Sequence, residues 1–153
     1  MRDESDRPMR TNYQRKQAFP KKAPRSMSDR YLVDELDAIT SLIVRAQESV
    51  CFIVGCEKRD NLECGHLLER RHRHTRWDTT LDGNCHAQCH EHNQEHERDS
   101  RLYVDSYIER FGERAYDEMV WRSRNNQKLV YSDLLNLLEE KQKQFSELRR
   151  KIA

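Results

Sequence analysis

Residues 84–93, "NCHAQCHEHN", gather two cysteines, three histidines and two asparagines into one decade of chain. Thiols and imidazoles at this density point to metal ligation, and the spacing offers three ways to pair them. Cys85 and Cys89 are C-x3-C, Cys89 and His92 are C-x2-H, and His92 with His96 just beyond is H-x3-H. A short spacing lets one tight turn, or one helical turn, aim both ligands at a single ion. A second pair lies upstream, Cys51 and Cys56, at C-x4-C spacing. Either half is incomplete alone. Together they make a tetrahedral set, and spacing leaves the three downstream pairings open.

The rest of the chain explains why such a staple is useful. Of 153 residues, 35% are hydrophobic and 36% are charged. That suits one domain with additions and a small core, the setting in which a metal or a partner supplements packing. Net charge is +1, but it is unevenly placed. Residues 1–30 carry nine Lys/Arg against four Asp/Glu, a net of about +5, and the remainder is about −4. A basic arm of this kind suits a phosphate backbone, or else is a solvated tail. The start of the chain is polar and charged, so no secretory leader is expected there, and no apolar run is long enough for a membrane span. Five cysteines in a chain read as cytoplasmic indicate metal ligands rather than disulfides.

Three units are expected. Residues 1–27 hold all three prolines and little apolar material, and form a disordered basic arm. Residues 28–100 form a leading helix and the Cys/His centre. Ser28 or Asp29 caps that helix, and Leu32, Leu36, Ile39, Ile43, Ala46 and Val50 share one face. Cys51–Val54 and Leu62–Leu68 read as short strands, Gly55 and Asp82-Gly83 as turns, and a helix starts near His90. Residues 101–153 form a helical extension. Tyr103, Tyr107 and Phe111 fall four apart, Gly112 stops that helix, and Ser132 caps the last one. There Leu134, Leu138, Phe145, Leu148 and Ile152 approach heptad spacing, with Lys141 interrupting. The stripe fits packing on its own domain, and secondarily a homodimer through the C-terminal helix.

Some chemistries are excluded. His90-Glu91 continues as His92-Asn93-Gln94, so no HExxH exists, and there is no phosphate-cradling glycine loop or G-x-S-x-G elbow.

The order of parts resembles the HNH (ββα-metal) endonucleases: a Cys pair, a strand carrying Gly65-His66, a basic loop, Asn84, then Cys89-x2-His92-Asn93 at a helix start. "CGHLLERRHRHTRWD" followed by N-x-H-x-Q-C-x-x-H-N is further similar to the phage NinG/Rap recombination endonucleases, as is the downstream "YIERFGERAYDEMVWRS". The resemblance spans residues 45–125. It implies an α+β, mostly helical protein whose zinc-stapled ββα-metal centre is flanked by N-terminal and C-terminal helices. It implies that Cys51, Cys56, Cys89 and His92 hold a structural Zn²⁺. It implies that His66 is the general base, that Asn84 braces the loop and orients His66, and that Asn93 helps hold a catalytic Mg²⁺ or Mn²⁺. The activity implied is metal-dependent hydrolysis of DNA phosphodiester bonds, on branched recombination intermediates, by a phage-encoded protein in a bacterial cytoplasm.

Three positions depart from the HNH pattern. Gly65 stands where many of these enzymes have an aspartate ligand, so His86, His72, His74 or Asp78 is expected to complete the catalytic ion's shell. The first Cys pair is wider than usual, and a Gly-Asn after the second pair is missing. Arg70, Arg71, Arg73 and Arg76 are expected on the DNA backbone, without base readout. Blander roles compete for several residues. His66 alone would read as a hydrogen-bonded hairpin histidine, Cys64 and Cys85 as small buried hydrophobes, and Trp77, Tyr103, Tyr107 and Phe111 as core. The rival to the nuclease is a non-catalytic zinc module that binds nucleic acid or a partner protein.

Overall fold

The computed structural model describes residues 28–153, an α+β and mostly helical unit; the basic arm 1–27 lies outside the described residues. Helix α1 spans Asp29–Gln47. Ser28 caps it, its Oγ accepting the Tyr31 N–H at 3.3 Å. Leu32, Leu36, Ile39 and Ile43 are buried on the expected face, joined by Val33, Thr40 and Val44. Ala46 is only partly buried, and Val50 lies past the helix end.

Cys51–Val54 is not a strand. The Cys51 N–H donates to the Lys58 carbonyl (2.8 Å) and the Cys56 N–H to Ile53 (3.0 Å), so the chain folds into a knuckle. Gly55 supplies the positive φ, +84°. A strand would alternate its side chains, whereas the knuckle turns Cys51 and Cys56 to the same side.

The only sheet among the described residues is a two-stranded antiparallel hairpin. Strand β1 is Glu63–His66, shorter than the expected 62–68, and β2 is Cys85–Gln88. The register pairs Glu63 with Gln88, Cys64 with Ala87, Gly65 with His86, and His66 with Cys85. All four β2 residues are buried, because α1 covers one face and the C-terminal helices cover the other. The Glu48 carboxylate just past α1 locks that arrangement, accepting the Ala87 N–H (2.5 Å) and meeting His86 Nδ1 (2.7 Å).

Helix α2 (His90–Arg98) leaves β2 directly, with Cys89 as its N-cap residue. Helices α3 (Arg101–Phe111) and α4 (Glu113–Ser123) follow, separated by Gly112 at φ +89°. Tyr103 and Tyr107 are core, as expected. Their hydroxyls donate to the Gly65 carbonyl (3.4 Å) and the Asp82 carbonyl (2.5 Å), tying α3 to the hairpin. Helix α5 is Tyr131–Ile152. Ser132 does not cap it: the chain enters at Val130, whose N–H donates to Asp133 Oδ2 at 2.8 Å, so Ser132 already lies in the first turn.

Three apolar clusters result, the smallest of them Val44 of α1 against Cys85 and Ala87 of β2. One joins α1 to α5 around Trp77, with Leu134 and Leu138 buried and Phe145 and Leu148 packed beside them. The apolar stripe of α5 therefore lies against α1 within the same chain. Another holds Cys51, Phe52, Ile53, Leu67, Cys89, Tyr103, Tyr107 and Met119. Full burial of such side chains stabilises by roughly 1.5–3 kcal/mol each. No helix among the described residues is long and apolar enough to cross a membrane.

Candidate metal centre and adjoining cavity

Cys51, Cys56, Cys89 and His92 converge at the junction of knuckle, β2 and α2, with one ligand atom from each within 4.8 Å of the others. His92 Nδ1 lies 3.4 Å from Cys51 Sγ and 3.3 Å from Cys89 Sγ. In tetrahedral zinc, bonds of about 2.3 Å to sulfur and about 2.0–2.1 Å to nitrogen put those atoms about 3.6 Å apart. The three thiolate-forming groups and one imidazole thus fit Zn²⁺ in both geometry and chemistry. His96 and Cys85 stand outside this group, so of the three sequence pairings the fold brings Cys89 and His92 to Cys51 and Cys56. Burial pushes the Cys51 thiol up, and the Cys89 thiol up to about 12. A cation must displace those protons, so its affinity rises with pH.

His66 ends β1 and lines an open cavity of about 700 Å³ shared with Arg70, His72, Asn93, His96 and Glu97. Its pKa is lowered to about 4, by burial first and by the Arg70 guanidinium second. The imidazole is therefore neutral at physiological pH. Its Nε2 is buried without a hydrogen-bond partner. Asn84 is fully buried and acts on the following loop: its Oδ1 accepts the Leu68 N–H (2.7 Å) and its Nδ2 donates to the Leu68 carbonyl (3.1 Å). It braces the backbone two residues past His66. Asn93 donates to Glu63 Oε2 at 2.7 Å. Glu63 also meets His90 Nδ1 at 2.8 Å, and these two bonds, His90's above all, hold its carboxyl below the usual range.

The expected extra ligands separate sharply. His72 donates Nδ1–H to the Ser123 carbonyl (3.1 Å), which leaves the lone pair of Nε2 free, and it lines the His66 cavity. His86 does not line the cavity: its two nitrogens face the Glu48 carboxylate (2.7 Å) and the Gly83 carbonyl (3.0 Å) and are turned into the core. Its ring stacks on Phe52, centroids 3.9 Å apart, as a core residue. Asp78 stands apart as well. It is held by Thr80 (2.6 Å) and Arg122 (2.8 Å) and does not line the cavity. His74 faces a neighbouring cleft and donates Nε2–H to the Gln127 carbonyl at 2.6 Å. Arg70, Arg71 and Arg73 are exposed, but Arg76 turns inward. It forms a two-pronged pair with Asp37 (2.9 and 2.5 Å), which also accepts Trp77 Nε1–H (2.7 Å), so Arg76 is a structural residue.

Sequence reasoning missed His96 and Glu97 as cavity residues. Asn93, His96 and Glu97 are three and four apart on α2 and so share one helix face, a spacing visible in the sequence. His96 packs edge-on to Tyr103 (4.9 Å), and its buried Nδ1 has no partner. Gly65 also finds its reason. A Cβ there would sit 2.2 Å from Gln88 Oε1, so Gln88 occupies the room a ligand side chain would need. Comparisons of the chain with protein-family models, with curated proteins and with solved structures give no significant match.

Proposed function

We propose that the protein is a metal-dependent DNA endonuclease built on an HNH-type ββα-metal centre. The observation that carries this reading is the cavity itself: a neutral His66 shares it with Asn93, His96, Glu97 and the free side of His72. In this reading His66 accepts the proton of an attacking water. Its low basicity keeps the lone pair available at any physiological pH. Asn84 fixes the loop that carries Leu67 and Leu68, and so holds the His66 end of β1 in place. Asn93, His96, Glu97 and His72 are the residues that would hold Mg²⁺ or Mn²⁺. Such an ion, when bound, stabilises charge on the scissile phosphate and the leaving oxygen. Arg70 and Arg98, both at the cavity, would clamp phosphate oxygens, with Arg71 and Arg73 along the adjacent cleft. The zinc clamp has no part in the chemistry and fixes α2 against the hairpin.

The substrate proposed is DNA with branches of the recombination type, and the setting a phage-infected bacterial cytoplasm; both rest on the NinG/Rap resemblance. One observation favours the rival, a non-catalytic zinc module. Position 65 supplies no ligand, and Gln88 fills its place. Incubating the full chain with labelled duplex, flap, fork and four-way-junction DNA separates the two readings. Cleavage with Mg²⁺ or Mn²⁺ that disappears with EDTA and in folded His66→Ala supports the nuclease. Retained DNA with no cleavage of any substrate establishes the rival.

A further inference from the structure

Cys64, His66 and Cys85 bring one ligand atom each within 4.8 Å of one another, apart from the zinc clamp. The hairpin register makes this unavoidable. Cys64 and His66 are two apart on β1 and so share a face, and Cys85 is the cross-strand partner of His66. We propose that these three residues form a second cation site, selective for a thiophilic ion of the zinc class, and that filling it withdraws His66 from proton transfer. The second half of this inference rests on the nuclease reading; the site itself does not.

Three observations carry the site. The donor set is two thiols and an imidazole, soft ligands that select zinc-like ions over Mg²⁺. Tetrahedral zinc needs about 3.8 Å between sulfurs and about 3.6 Å from sulfur to nitrogen, which side-chain torsions reach from the present spacing. His66 Nε2 is buried without a partner, an unfavourable arrangement unless something pairs with it. Burial first, and Cys64 beside it second, hold the Cys85 thiol protonated well above its usual range, so an ion must displace that proton and binds more tightly as pH rises. Cys85 gives up only a weak S–H contact to the Arg76 carbonyl (3.1 Å) on ionising.

The balance is simple. The ion takes two thiolates and a neutral imidazole, and two thiol protons leave to solvent. The metal-ligand group is then neutral. Three protein ligands leave a fourth position, and Cys64 and His66 open on the 700 Å³ cavity, so water completes the shell. A three-ligand site with a water is more readily emptied than the four-ligand clamp. The second ion is thus exchangeable where the first is permanent. With its nitrogen committed to the ion, His66 has no lone pair for a water proton.

The test counts ions and probes thiols on the full chain. Native mass spectrometry during zinc titration should show two ions per wild-type chain and one in Cys64→Ala/Cys85→Val. In the wild type, zinc added after the first equivalent should slow maleimide alkylation of Cys64, which opens on the cavity, about tenfold or more, since bound thiolate is withdrawn from reaction. This arm needs no variant to fold. One ion per chain in excess zinc, with Cys64 alkylated equally fast with and without it, overturns the site. Excess zinc should also suppress Mg²⁺-dependent DNA cleavage by the wild type and not by the double variant. A second ion that binds and leaves cleavage unchanged overturns the withdrawal of His66. Absence of cleavage under all conditions refutes the nuclease reading and leaves the ion count standing.

Discussion

Stripping zinc from the proposed Cys51–Cys56–Cys89–His92 clamp should unfold one half of the molecule and spare the other, while Cys89→Ser should weaken that half without unfolding it. Structural zinc contributes about 10–16 kcal/mol in small metal-bound folds. A domain of this size has a net stability of about 5–15 kcal/mol. Loss of the ion therefore exceeds what the apolar cluster around Tyr103 and Tyr107 can retain. Cys89→Ser removes one ligand of four, and an equal share of the ion's contribution is roughly 3 kcal/mol. The damage should be local. Cys51 and Cys89 are members of the cluster that holds Phe52, Tyr103 and Tyr107, while the cluster between α1 and α5 contains no ligand. Hydrogen exchange read by mass spectrometry, before and after chelation, is the assay. Protection should collapse across 51–66 and 85–111 and persist in 29–47 and 131–152. Trp77, packed between α1 and α5, should keep its buried emission. Unchanged exchange in both regions after verified loss of zinc would refute the argument. Uniform loss in both would refute the separation of these two clusters.

Three other perturbations test the surroundings. His66 has a folded pKa near 4 against 6.5 unfolded, so its contribution to stability is complete above pH 6.5 and declines as pH falls toward 4. Urea titrations at pH 7 and 4.5 should show about 2–3 kcal/mol less of this loss in His66→Gln than in the wild type. Any DNA cleavage should keep its acid limb near pH 4 instead of 6.5. Gly65→Ala drives a Cβ into the buried amide of Gln88 and should cost about 1–3 kcal/mol, part of it recovered in Gly65→Ala/Gln88→Ala. Asp37→Ala leaves the mostly buried Arg76 and the Trp77 N–H without their acceptor and should cost about 3–5 kcal/mol in thermal denaturation. A loss below 1 kcal/mol would mean that water replaces the carboxylate.

Helices declared themselves in the sequence because each has one dry face. The Leu32–Leu36–Ile39–Ile43 series and the Tyr103–Tyr107 pair carry that signal, and Ser28 and Gly112 mark true boundaries. Strand β2 carried no such signal. "CHAQ" is buried on both faces, so its polar members have no solvent side to alternate toward, and hydropathy alone cannot find it. Cys51–Val54 reads as a strand because Cys, Phe, Ile and Val are β-prone, while Gly55 and the Cys51 and Cys56 N–H bonds turn the chain into a knuckle. Ligand chemistry was legible as far as spacing reaches. Cys51, Cys56, Cys89 and His92 meet, but nothing in spacing reveals that His86 is turned into the core toward Glu48 and Gly83, or that Arg76 faces Asp37. Those depend on which side of a two-stranded hairpin or a loop each residue falls. The same cause hid the Cys64–His66–Cys85 cluster, which needs the cross-strand register and not the linear order.

The direct passage from Asn84 through β2 into Cys89 and α2 sets a rule for how chains of this kind can vary in length. Asn84 is anchored to Leu68 at one end, and Cys89 is fixed at the clamp at the other. Between them lie four buried strand residues with no spare turn. One residue inserted there would reverse the facing of every side chain after it, trading the α1 side for the α3 side and carrying Cys89 off its partners. Insertions and deletions in divergent relatives should therefore spare residues 84–93 and collect in the 124–130 link before α5, where the chain passes over the surface and can lengthen without disturbing the hairpin.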